Sequence, residues 1–159
     1  MKITILTVGK IKEKYLSDAI AEYSKRLGRY CRLNIIQVQD EKTPDNPSAT
    51  EKRIILDKEA SRLSSHIEDG TYLIALAING RQLSSEELSE KINSLGIGGK
   101  SSITFVIGGS LGLSGSILSQ ADMLLSFSKM TFPHQLMRVI LLEQIYRSFK
   151  IISHEPYHK

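Results

Sequence analysis

Residues 72–78 read YLIALAI, a run with no charge and no polar residue beyond the tyrosine hydroxyl. A strand with one wet face alternates apolar and polar residues, whereas an unbroken apolar run marks a strand covered on both faces. Residues 102–109, SITFVIGG, repeat the pattern and end in a glycine pair, and 3–8, ITILTV, form a shorter β-branched version ending at Gly9. Two further strands are expected at 33–38, LNIIQV, and 122–127, DMLLSF. Helical periodicity fills the intervals. It covers about 13–30, with Leu16, Ile20, Tyr23 and Leu27 on one face, and about 50–67, with Ile54, Ile55, Leu56 and Leu63. A third helix opens at Ser84 with Glu87 three residues on, a capping-box spacing, and ends in Gly96, Gly98 and Gly99. A short helix is expected at 114–121 and a long one from Pro133 to about Ile152. Strict alternation of strand and helix predicts an α/β fold with a mainly parallel sheet sandwiched by helices, as one domain over 1–159. Ligands in such sheets bind beyond the carboxyl ends of the strands. Three ends look suited: after Leu76, at Gly108-Gly109, and from Phe127 onward.

Composition narrows the class. Of 159 residues, 41% are hydrophobic and 24% charged, an ordinary globular balance. The formal net charge of +4, with a pI near 9.2, leans toward an anionic partner, although the cations are spread along the chain. Charged residues follow the apolar run of MKITILTVGKIKEK where a signal peptide would carry small residues, and no stretch has the length of a membrane span. A cytoplasmic protein without a membrane contact is the expectation. Cys31 is the single cysteine, which excludes an internal disulfide and reads as packing; Cys and His nowhere cluster as metal ligands, so no metal is expected.

Three segments invite a functional reading. In 124–134, LLSFSKMTFPH, a strand end turns polar, becomes apolar again at Met130 and Phe132, and breaks at Pro133. It is either a surface loop or a loop whose backbone holds a nucleoside between apolar walls. IGGSLG at 107–112 lets a backbone approach closely but lacks the GxGxxG and GxxxxGK[ST] fingerprints. The final helix is apolar nearly all round, so it is buried on more than one side. In a chain this small the second surface comes most simply from another copy, so a two-fold homodimer is expected; the competing explanation is a central helix in the monomer core. The tail SHEPYHK is either frayed or a store of acid–base and stacking groups. Its two histidines are too few to argue for a metal.

Taken together, ITILTVGK, FVIGGSLGL, LSFSKMTFPHQLMRVILLEQIYRSFKI and the terminal PYHK resemble the RlmH family, bacterial large-subunit rRNA methyltransferases of the SPOUT class. The resemblance spans essentially the whole chain. It implies a trefoil knot over about 103–159, a homodimer, and S-adenosylmethionine as cofactor. It implies methylation of N3 of a pseudouridine in 23S rRNA, in the assembled 70S ribosome. It places cofactor contacts at Leu76, Gly108, Phe127, Ser128, Lys129, Met130, Thr131 and Phe132. Ala77 stands where an acidic residue is expected in the family, and Leu111 where polar residues are commoner. Proton removal from N3 points to His154 and His158, with Tyr157 orienting or stacking, while His134 serves the helix start. Arg138, Arg147 and Lys150 are the expected phosphate contacts. The alternatives are a non-catalytic RNA- or nucleotide-binding α/β module and a tRNA methyltransferase of the same class.

Overall fold

The computed structural model describes residues 1–159. Five strands, β1 (Lys2–Val8), β2 (Arg32–Val38), β3 (Tyr72–Gln82), β4 (Ser102–Ile107) and β5 (Met123–Ser126), form one sheet in the order β2-β1-β4-β3-β5. Every pairing is parallel. Helices α1 (Lys14–Leu27), α2 (Ala49–Ser64), α3 (Ser85–Ile97) and α4 (Gly115–Gln120) supply the crossovers, and α5 (His134–Ile152) follows the last strand. No helix is long and apolar enough to cross a membrane.

The apolar runs divide by the two-residue period of a strand. Ile3, Ile5, Ile74, Ile103, Phe105 and Ile107 point to one face, where they join Leu27 of α1, Leu88 and Ile92 of α3, and Leu141 and Ile145 of α5. Leu6, Val8, Leu73 and Val106 point to the other, against Ala60 and Leu63 of α2 and Ile117 of α4. The chain is thus a three-layer α/β/α sandwich, and the lack of alternation in YLIALAI follows from its central place in the sheet. Ser48 and Ser84 each accept from the backbone N–H three residues on, while Glu51 and Glu87 reach back to the serine amides. Both capping boxes set where α2 and α3 begin.

Three expectations shift. The strand at 72–78 continues to Gln82: its register jumps between Leu76 and Arg81, and both residues pair with Leu125. A Cβ on Gly80 would lie 2.7 Å from the Leu124 carbonyl carbon, so only glycine passes there. Helices α1 and α2 end at Leu27 and Ser64, a turn short of the periodic pattern. The all-round apolar character of α5 has its cause inside one chain. Helices α1 and α3 both pack against it, and its remaining face lies in the core over β4. That character therefore does not argue for a second copy.

Candidate active site

The carboxyl ends of β3, β4 and β5 enclose a cleft of about 630 Å³ lined by 76–78, 107–112, 125–128, 130–134 and Met137. Backbone makes much of it. A Cβ on Gly108 would stand 2.3 Å from the Gly112 carbonyl oxygen, and Gly112 has φ +80°, a conformation suited to glycine. In the loop after β5, Ser126 Oγ donates to the Ser128 carbonyl at 3.1 Å, and Met130 N–H donates to Ser128 Oγ at 3.0 Å. Among the backbone groups of 129–132, only that Met130 amide has a protein partner. The rest are available to a ligand. Met130 is 74% exposed and Phe132 36%, which leaves apolar surface at the cleft mouth. Of the expected cofactor contacts, Leu76, Gly108, Phe127, Ser128, Met130, Thr131 and Phe132 all line the cleft; Lys129 is exposed beside it. Ala77 and Leu111 also line it.

A second cleft, about 880 Å³ and polar, opens over the carboxyl ends of β1 and β2 and shares Gly109, Ser110 and His134 with the first. Burial, with help from Arg138, moves the His134 imidazole below its usual range, and Asp40 opposes this. The residue is the first of α5 and stands on the wall between the two clefts.

The tail is folded back onto α5 and α3. Tyr157 packs edge-on against Tyr146 with ring centroids 5.0 Å apart, and its hydroxyl donates to Glu143 Oε1 at 3.1 Å. The Arg147 guanidinium lies 4.7 Å above the Tyr157 ring and bonds Glu143 Oε1 at 2.6 Å. His158 stands between Arg147 Nη1 (3.2 Å from Nδ1) and Glu86 Oε1 (2.7 Å from Nε2). Arginine can only donate, so Nδ1 accepts and the ring proton sits on Nε2, directed at Glu86. Glu86 is held down at about 2 by its own backbone amide, then by His158 and Ser84. Burial and then Glu143 push the Tyr157 phenol up to about 12, which keeps it a donor. Two members of this cluster, Glu143 and Glu86, were not singled out in the sequence. The four-residue spacing from Glu143 to Arg147 is a local signal for the first; Glu86 has none.

The structure separates the other expected site residues. His154 caps α5 in a left-handed conformation, φ +54°, with its side chain exposed and outside the cluster. Arg138 is corrected: it is 2% exposed and donates to the Val8 and Gly9 carbonyls at 2.7 and 2.9 Å. A guanidinium so enclosed meets no phosphate; it ties α5 to the end of β1. Arg147 is engaged by Glu143, and the Lys150 ammonium by Glu155 at 2.5 Å.

This architecture recurs in known proteins. The tRNA (m1G37) methyltransferase of Aquifex aeolicus superposes with a TM-score of 0.55 at 10% identity, over all of this chain and 75% of that one, a likeness of fold. A ribosomal RNA large subunit methyltransferase H from Bifidobacterium adolescentis is 66% identical over the full length of both chains. One from Clostridium novyi is 63% identical over the same span. Residues 1–158 match the family described as "Predicted SPOUT methyltransferase". With its parallel sheet, glycine-built cleft and strand-end loops in place, the chain belongs to the SPOUT methyltransferase family.

Proposed function

We propose that this protein methylates large-subunit ribosomal RNA with S-adenosylmethionine, at N3 of a pseudouridine, in the assembled 70S ribosome of the cytoplasm. The observation that carries the reading is the cleft at 107–112 and 127–132. Its apolar walls and unpartnered backbone groups suit an adenosyl moiety, in a chain 66% identical end to end to a large-subunit rRNA methyltransferase. S-adenosylmethionine, when bound, supplies a methyl group on a sulfonium, already a strong electrophile. The chain's part is then to hold the adenosyl group, to align the base, and to accept the N3 proton. His158 is the proposed acceptor through Nδ1 once Arg147 lets go of it, with Tyr157 and Glu143 fixing the tail. Arg147 and Lys150, released from their carboxylates, are the proposed phosphate contacts. The trefoil knot over about 103–159 goes with this reading, and the close passage of Gly80 against Leu124 suits it.

The active unit is a homodimer in which the tail of one protomer completes the cleft of the other. No residue beyond Met137 lines the cleft. Arg147 lies thirteen residues along α5 from His134, about 20 Å of helix. A hollow of about 280 Å³, lined by Ser85, Phe127 and Gln144 among others, lies between cleft and tail cluster. Exposed Ile78, Met130 and Phe132 around the mouth give a partner apolar surface to cover.

The test is methyl transfer from labelled S-adenosylmethionine to 70S ribosomes, free 50S subunits and bulk tRNA, all lacking the modification. Label in 70S rRNA at a pseudouridine is expected. Label in tRNA would instead make the chain a tRNA enzyme, and cofactor binding without transfer would make it a non-catalytic module. Mixing a Gly108→Ala chain with a His158→Ala chain should restore activity in mixed dimers; an inactive mixture places both groups in one protomer.

A further inference from the structure

The polar cleft over β1 and β2 has a feature that the methyl-transfer reading leaves unused. Glu59 of α2 lines it and is 4% exposed. One carboxylate oxygen, Oε1, accepts the Glu41 N–H at 3.1 Å. The other, Oε2, has no partner in the protein, and a Cβ on Gly109 would lie only 3.4 Å from it. Oε2 is not sealed from solvent: it is a free acceptor on the cleft wall, open to a donor that enters. Burial and the nearby Asp40 and Glu41 carboxylates move its titration up, and only the Glu41 amide and Arg62 oppose this. Around the mouth, Lys10, Lys12 and Lys42 are exposed, and none of them has an ion-pair partner. They are uncommitted cations beside the ends of β1 and β2, in contrast to Arg138, Arg147 and Lys150.

We infer that this cleft receives a nucleotide flanking the methylated one, with a base N–H donated to Glu59 Oε2 and the adjoining phosphates on Lys10, Lys12 and Lys42. This rests on the reading of the chain as an rRNA methyltransferase. The chemistry matches part by part. A carboxylate accepts from a base edge and so selects for a donor there, while lysines take phosphate without regard to sequence. The volume, about 880 Å³, suffices for a nucleotide. The shared wall of Gly109, Ser110 and His134 puts the two clefts side by side, so a strand with its target base at the first can reach the second with a neighbour.

The experiment uses full-length protein, 70S ribosomes lacking the modification, and S-adenosylmethionine. Glu59→Gln keeps an acceptor for the Glu41 amide but offers an NH2 where Oε2 was. It should raise KM for ribosomes about tenfold, the scale of one discriminating base contact, with cofactor Kd and melting temperature held. Lys10→Ala, Lys12→Ala and Lys42→Ala combined should lower ribosome affinity and flatten its salt dependence by up to about three in slope. A photo-crosslinker at Thr43, on the rim, should map to rRNA within a few nucleotides of the methylated position. An unchanged ribosome KM in both variants overturns the inference, as does a matching loss of cofactor affinity, which would assign the cleft to the cofactor. Should Glu59→Gln fail to fold, the lysine variant and the crosslink decide alone. Wild-type protein that does not methylate ribosomes at all refutes the functional reading instead, and is seen in the control.

Discussion

In the apolar cleft, backbone does the holding; in the cluster of Glu86, Glu143, Arg147, Tyr157 and His158, side chains hold one another. The cleft depends on glycines without Cβ atoms and on a loop pinned by Ser126 and Ser128. Its side chains are walls that tolerate exchange. The cluster is built from side-chain hydrogen bonds among Glu86, Glu143, Arg147, Tyr157 and His158, and its last two members sit on a short tail. On the proposed reading the contrast separates binding from chemistry: a backbone site changes little when a ligand arrives, whereas a side-chain cluster must release one partner to serve another.

The sharpest way to break that division is His158→Ala. Methyl transfer should fall by about 10²- to 10⁴-fold, the range of acid–base contributions, while S-adenosylmethionine affinity measured by calorimetry stays level. Equal loss of both would merge the two regions into one. Next comes Gly108→Ala, where the new methyl meets the Gly112 carbonyl. Cofactor affinity should drop at least about tenfold, or ~1.4 kcal/mol; a Met130→Ala change in the walls should cost far less. If the two are equal, side chains and not backbone make the cleft.

Arg138→Met probes the strut from α5 to the end of β1. It leaves the Val8 and Gly9 carbonyls without donors, so about 2–3 kcal/mol of stability is at stake. The melting temperature should fall by roughly 5–10 °C. The salt dependence of ribosome binding should not change, since no phosphate contact is lost. A flattened salt slope would return Arg138 to the RNA surface.

The smallest effect concerns acid. Glu86 and Glu155 both titrate below the usual carboxylate range, Glu86 at about 2. A depressed carboxylate contributes while ionised, so its contribution is present above pH 4.5 and fades as the pH falls toward the folded value. Between pH 5 and pH 2.5 the ring resonances of Tyr157 and His158 should lose their packed shifts before those of Phe127 do. Simultaneous loss would show that the tail is no looser than the cleft.

Much of the cleft was legible before any coordinates. The half-polar, half-apolar composition of 124–134 and the glycine pair after β4 are local facts; the eight expected cofactor contacts came from the family resemblance, and seven of them line one cleft. The tail was legible only in part. Tyr157 and His158 belong to the cluster, but His154 turns away in the left-handed cap. Glu86 comes from a helix more than seventy residues upstream, and Glu59 is one charge among many in α2 until its burial is known. Arg138 misled because an arginine on a helix near a ligand loop looks like an anion contact until its neighbours fill in.

The order of strands and helices, the two-sided burial of β3 and β4, the capping of α3 and the chemical character of the strand-end loops all follow from local sequence. Each depends on spacing within a few residues, where side-chain period and backbone preference act directly. Only the tertiary structure decided the sheet order β2-β1-β4-β3-β5, the passage of Gly80 against Leu124, the covering of α5 by α1 and α3, and the return of the tail to Glu143 and Glu86. Those depend on which distant segments meet. Several arrangements satisfy the same local periodicity, and the packed core selects one by burying apolar faces together while pairing most of the buried backbone.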